Sequence, residues 1–327
     1  FACRLSRACI RQGGYSVYQA YLRMRLVEAT HPAHYIILNV WDDDSFRNID
    51  AWRTIRFGSK TPCGYTLPHL HVDLTEGTVE ERQNICATPE SVARLGDHGW
   101  VCKTFAGDPV LAAVANDTGL RSYPRSGVTE RSPDRRDSQK VQTSVGIPPV
   151  VGARADLQAQ LTSAALQSTI WVLQQAEKFC MAHGKELMVV LSHSSAGVAA
   201  ALEGKPKWDQ ELADFVASRP YRSVDLRDAH VADYALFPSL TVAEYLSRYY
   251  IGHYNPSGNF FFANAVRGLL VDWLDRLAPN GLAHLVVSKH LGADSLGAWL
   301  ADRGHPVDRV TSRRGFRVLS VGDRQEA

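Results

Sequence analysis

The chain has no C-x-x-C pair: its six cysteines, Cys3, Cys9, Cys63, Cys86, Cys102 and Cys180, are scattered along 327 residues. That spacing suggests neither a thiolate zinc site nor a dense disulfide framework, and leaves an isolated bridge such as Cys86 with Cys102 open. No apolar run approaches the ~20 residues a membrane span needs. Charge of one sign is missing too, since 36 Lys and Arg against 34 Asp and Glu leave a formal +2. A nucleic-acid partner or a phosphate-rich surface needs a basic field that this balance does not supply. No glycine-rich loop followed by lysine is present to cradle a phosphate, and nothing in the composition calls for a cofactor.

What remains is ordinary globular material, 45% hydrophobic and 21% charged, long enough for one large domain or a domain with an appendage. The chain opens at Phe1, without methionine, and runs at once into Arg4, Arg7 and Arg11. This reads as a start inside a domain, so a signal peptide and the compartment are not readable.

Periodicity gives the organisation. Leu22, Leu26 and Ala29 recur at helical spacing before the stop at His31-Pro32, and Tyr35 to Val40 reads as a buried strand. From about 58 to 155 the pattern is poor and reads as a long irregular insertion. Its segment Arg121 to Arg154 is too poor in large apolar residues to offset the entropy of ordering, so it reads as a flexible loop or a lid. Leu161, Ala165, Leu166, Ile170, Leu173 and Ala176 mark a helix from Leu157 to Phe179 or Cys180, stopped at His183-Gly184. Leu187 to Leu191 is a continuous apolar strand, which Ser223 to Leu226 repeats. Alternation of this kind predicts an α/β fold with a doubly wound parallel sheet. Its carboxyl edge would gather Asp42 to Asp44, Ser192 to Ser195 and Asp225 to Asp228. The main domain is expected to cover 1–279. Residues 280–327 read as a small appendage of strand (Ala283 to Val287), helix (Leu291 to Ala301) and strand (Arg314 to Val321).

The run Gly252-His253-Tyr254-Asn255-Pro256-Ser257-Gly258-Asn259 sets a histidine in a tight turn before a helix. Asn255 can cap that helix and Pro256 suits its first position. Phe262, Val266, Leu269, Leu270, Trp273 and Leu277 continue it. Two other blocks precede this one. Gln12 to Gln19 is a glycine turn entering a helix, and Tyr35 to Asp44 is a strand ending in acids.

In order and spacing the three blocks resemble the SGNH (GDSL-type) hydrolases. The resemblance implies a three-layer α/β/α sandwich with a parallel, flavodoxin-like sheet, and ester hydrolysis or acyl transfer on a small-molecule or carbohydrate ester such as an O-acetyl group. It makes His253 the base that activates a serine, Gly14 an oxyanion-hole glycine, and Asp43 the occupant of the place of the oxyanion-hole asparagine. Three departures accompany it. The first strand and its Gly-Asp-Ser block are not seen in the thirteen residues before Gly14, which places the nucleophile upstream of Phe1. An ionised Asp43 repels an oxyanion instead of donating to it. Tyr250 stands three residues before His253, where the family commonly has an orienting aspartate, so a Ser-His dyad or a backbone carbonyl as orienter is expected in place of a triad.

Competing chemistry is also legible. Ser194, between Ser192 and Ala196 after a buried strand, has the small neighbours of a nucleophile elbow, and Ser194, Asp225 or Asp228, His253 is the α/β-hydrolase order. Its plainer reading is a polar loop capping the next helix. His69-x-His71-x-Asp73 has metal-ligand spacing on a strand but also fits an exposed strand. Asp42-Asp43-Asp44 suits magnesium or a turn paired with Arg47. With the serine truly absent, the replacements at 43 and 250 would instead fit a non-catalytic hydrolase-like domain that binds a glycan or a protein partner.

Overall fold

Five consecutive apolar residues, Leu187 to Leu191, are all buried, and they make the central strand of a three-stranded parallel sheet. The computed structural model describes residues 15–29, 34–57, 65–111, 154–274, 277, 280–288, 293–313 and 316–322. The expectations for 121–153 and for Gly14 lie outside the described residues. In chain order the described elements are α1 (Val17–Glu28), β1 (Tyr35–Trp41), α2 (Asp42–Arg47), α3 (Arg53–Phe57), β2 (His69–Asp73), β3 (Thr78–Arg82), α4 (Pro89–Ala93), α5 (His98–Thr104), α6 (Arg154–Ala182), β4 (Glu186–Ser192), α7 (Ser195–Leu202), α8 (Gln210–Ala217), β5 (Arg222–Asp225), α9 (Leu226–Tyr234), α10 (Val242–Ser247), α11 (Pro256–Leu274), β6 (Leu282–Ser288), α12 (Ala293–Ala301), β7 (Val307–Arg313) and β8 (Phe316–Gly322). Among the described residues no helix is long and apolar enough to cross a membrane.

The fold is mixed α/β, and its contacts divide the described chain into two units, one of 34–42 with 177–322 and the other of 15–29 with 43–176. In the first, the parallel sheet has the order β1-β4-β5, with Trp41 opposite Ser192 and Leu191 opposite Asp225. Met188 and Val190 pack with Leu226, and Phe262, Ala265 and Val266 of α11 cover them. Each such buried side chain contributes ~1.5–3 kcal/mol relative to exposure. The anticipated helix stop after α6 is present: Gly184 takes φ +62, and the Lys185 amide reaches back to the Cys180 carbonyl.

In the same unit the described part of 280–327 has the anticipated strand, helix and strand, with one further strand, β7, between the last two. β7 was not anticipated, because its two valines stand three apart among charged and polar residues, out of strand period, and a bulge breaks its register between Arg309 and Thr311. The three strands form an antiparallel sheet of order β6-β8-β7, packed by Leu296, Trp299 and Leu300 of α12.

The second unit corrects the irregular insertion over its described part, 65–111. β2 and β3 make an antiparallel hairpin. Asp73 Oδ1 accepts from the amides of Thr75 and Glu76, and Gly77 takes φ +66 to close the turn. α4 begins at a Thr88 capping box and α5 at Asp97. These elements have only five to seven residues each, too few to carry a readable period. Val101, Phe105, Val110 and Leu111 pack with Trp52, Ile55 and Leu161 in one core cluster. Cys86 and Cys102 are free thiols, so the isolated bridge is not formed.

α6 breaks its apolar stripe with two fully buried polar residues, Ser168 and Thr169. Both hydroxyls donate to the Ala165 carbonyl and accept from Asn48 Nδ2, at 3.2 and 2.9 Å. Asn48 Oδ1 accepts the Tyr18 amide at 2.9 Å, a first-turn donor of α1 with no partner inside its own helix. Every polar atom of this clamp is met. Asn48→Ala is expected to destabilise the chain by about 2–4 kcal/mol, because three buried groups lose a partner together. A urea-unfolding midpoint that does not move would show that the clamp contributes nothing.

Candidate functional site

Parallel strands end on one edge of their sheet, and ligands of open α/β sheets bind there. β1 ends at Trp41, followed by Asp42. β4 ends at Ser192, followed by His193 and Ser194, and β5 ends at Asp225. All belong to the first unit.

Ser194 is committed to structure. Its hydroxyl donates to Asp42 Oδ2 at 2.6 Å, and its amide donates to the same oxygen at 2.8 Å. Its oxygen accepts the Gly197 amide and caps α7. The backbone at Ser194, φ −66 and ψ 161, is ordinary extended chain, without the strain of a nucleophile elbow.

Asp225 is committed as well. Its Oδ1 is 2.9 Å from His193 Nε2, and the carboxylate accepts from the Arg227 guanidinium and from Lys207. Arg227, itself buried, also pairs with Asp209. Burial opposes the charge on Asp225, but the hydrogen bonds from His193 and Arg227 outweigh it and hold the carboxyl far below the usual range. Asp225 therefore orients His193 and is not spare for His253. Asp228 is exposed and faces Lys207. The second ring nitrogen of His193, Nδ1, is buried without a hydrogen-bond partner among the described residues.

His253 is the exposed imidazole of this edge. Its turn is closed by the Ile251 amide donating to the His253 carbonyl at 2.8 Å, by Gly252 at φ +97, and by a backbone bridge between Tyr250 and Tyr254. The ring stands edge-on to Trp41 with centroids 5.7 Å apart, so the turn returns to the end of β1. Asn255 caps α11 through the Gly258 amide. A Cβ on Gly258 would collide with the Tyr249 carbonyl and the Tyr254 ring, so this position requires glycine. Among the described residues no carboxylate hydrogen-bonds the His253 ring.

Tyr250 is buried, and its hydroxyl donates to the His193 carbonyl at 3.1 Å. In the second unit Asp43 accepts from Arg47 Nε at 2.7 Å, while Asp44 takes the Arg47 Nη1 at 2.5 Å. These acids open helix α2 instead of forming a turn. His69, His71 and Asp73 lie on β2. Among the described residues no three His, Cys, Asp or Glu side chains are arranged to hold a metal ion.

Sequence reasoning passed over His193, whose signal is a histidine directly after a strand whose parallel neighbour ends in aspartate. It also passed over His230, fully buried on α9. Its signal is a cluster of tyrosines, Tyr245, Tyr249, Tyr250 and Tyr254, within one short stretch. Burial lowers His230 to about 4.

The unfolded chain protonates His230 near the ordinary 6.5 and the folded chain only near 4. Its contribution is whole above about 6.5, falls by about 3 kcal/mol as pH drops through that window, and levels off below it. Asp108, raised to about 6 by burial, titrates in the same range with the opposite sign. The measurement is therefore the stability difference between wild type and His230→Phe, in which Asp108 cancels. That difference is expected to move in favour of the variant between pH 7 and pH 4, and a constant difference would mean that His230 does not titrate on unfolding.

Compared with protein-family models, with curated proteins and with solved structures, the chain gives no match in any of the three.

Proposed function

We propose that the chain is a serine-type ester hydrolase or acyltransferase domain of the SGNH kind, a three-layer α/β/α sandwich in which His253 is the base. The observation that carries this reading is the return of an exposed, turn-fixed histidine to the carboxyl edge of a parallel sheet, against Trp41. A base must be open to the reacting hydroxyl and held at one place, and His253 combines the two.

In this mechanism His253 removes the proton from a serine hydroxyl, whose oxygen attacks the ester carbonyl. The tetrahedral oxyanion collapses, the C–O bond to the alcohol breaks, and His253 returns the proton to the leaving alkoxide. Water, deprotonated by His253, then hydrolyses the acyl-enzyme. The nucleophile is a serine outside the described residues. Asp43, engaged as acceptor for Arg47, leaves oxyanion donation to other groups. The substrate is a small-molecule or carbohydrate ester.

A second reading, a non-catalytic domain that binds a glycan or protein partner, is favoured by one observation: no carboxylate among the described residues orients the His253 ring, and Tyr250 turns its hydroxyl to the His193 carbonyl.

The test is fluorophosphonate labelling of the protein expressed from its complete reading frame, with peptide mapping and His253→Ala as control. Label is expected on one serine and lost in His253→Ala, whose stability stays within about 1 kcal/mol because an exposed side chain has little packing to lose. Label at Ser194 or Ser195 supports an internal elbow instead, and no label on folded protein supports the binding domain.

A further inference from the structure

A fully buried histidine with four tyrosines around it demands an account of every proton. Tyr245 has one hydroxyl proton, and Asp233 Oδ2 lies 3.0 Å away. A carboxylate is the stronger acceptor, so the proton goes there. Tyr245 oxygen is then the acceptor for His230 Nδ1, 3.0 Å away, which puts the ring proton on Nδ1 and leaves Nε2 with a lone pair. Tyr254 hydroxyl, at 3.0 Å, donates to that lone pair. Tyr250 hydroxyl, at 3.3 Å from Nε2, keeps its own proton for the His193 carbonyl. The ring is stacked on Phe261 at 4.1 Å, which fixes its plane. The bonds run one way, from Tyr254 through His230 and Tyr245 to Asp233, and Tyr249 gives Asp233 a second hydroxyl at 2.7 Å.

The two tyrosines converging on His230 Nε2 are the two that flank the His253 turn, stacked on each other at 4.5 Å and joined by a backbone bridge. Their hydroxyls are the polar ends that must be satisfied, so the lone pair of His230 sets where the turn sits. We infer that His230, with Tyr245, Tyr254 and Asp233, is a positioning relay that holds the His253 turn in register with the sheet edge, in the role an aspartate at position 250 would otherwise fill. The inference deepens the reading of His253 as base and rests on it for its catalytic consequence. The relay itself is measurable without activity.

The experiment compares wild type with Tyr254→Phe, which keeps the ring stack and deletes the donor, and with His230→Gln. Hydrogen exchange is followed at the Ile251 and Asn255 amides, which close the turn, and at the β4 amides as reference. Exchange at least 10-fold faster at the turn alone supports the relay. Unchanged turn protection, or equal acceleration at β4, overturns it. Nitrogen-15 spectra of the His230 ring are expected to show the Nδ1–H tautomer, and the other tautomer overturns the assignment. With 4-nitrophenyl acetate, kcat is expected to fall about 10-fold in Tyr254→Phe with KM within about 2-fold, whereas unchanged kcat in an active protein removes the positioning role. A wild type with neither turnover nor label fails the ester-hydrolase reading, and the exchange data still decide the relay.

Discussion

A strand buried on both faces has to bring its chain out through polar residues, and each of those needs a partner where water is scarce. The structure at the carboxyl edge of the parallel sheet depends on that constraint. After β4 the chain meets it twice in succession. The Asp42 carboxylate receives both the amide and the hydroxyl of Ser194, and the Asp225 carboxylate receives His193. Asp225 is in turn held by Arg227, and Arg227 by Asp209. Breaking one member of such a buried set strands a charge, at a cost of ~3–5 kcal/mol. Groups under that obligation are poorly suited to accept and release protons during a reaction. On this edge the exposed imidazole of His253 stands outside that buried set.

The same constraint applied to a neutral group gives a different result. Among the described residues His230 has no counter-ion in hydrogen-bond contact with its ring, and burial keeps it uncharged. Its two nitrogens then differ, one donor and one acceptor. That asymmetry gives the tyrosine cluster a direction, with hydroxyl protons pointing from the His253 turn toward Asp233. Tyr249 and Tyr254, each raised to about 12 with burial as the first cause, stay protonated at any physiological pH. The proposed relay is therefore a scaffold of neutral hydroxyls that ends on one carboxylate, and it adds no charge beside the His253 turn.

How much of this was legible follows from what residue types announce. β4 declared itself because full burial leaves an unbroken apolar run, and the turn before α11 because Asn255, Pro256 and Gly258 each suit only a few backbone positions. α6 was legible by its stripe, but Ser168 and Thr169 were not, since their burial depends on Asn48, 120 residues away in sequence. β2, β3, α4 and α5 are too short to show a period, and β7 hides its two valines among charges. Ser194 can be read as an elbow or, more plainly, as a cap until the position of Asp42 is known, and it is the contact with Asp42 that commits its hydroxyl. Long-range polar partners were what the sequence alone left open, and the candidate site is built from them.

Tyr250 carries the strongest constraint on how the site can work. An aspartate there would bring a carboxylate into a buried position, close to the charge of Asp42, where burial and like-charge repulsion both oppose ionisation. It would also delete the ring that stacks on Tyr254 and the hydroxyl that satisfies the His193 carbonyl. An acid at this one position would therefore need surroundings other than those that meet the phenol. A histidine held by its backbone turn instead of by a carboxylate keeps its position and gives up the electrostatic stabilisation of the imidazolium. How well the turn itself is held then matters, and in the proposed relay the lone pair of His230 adds to the backbone bonds that close it.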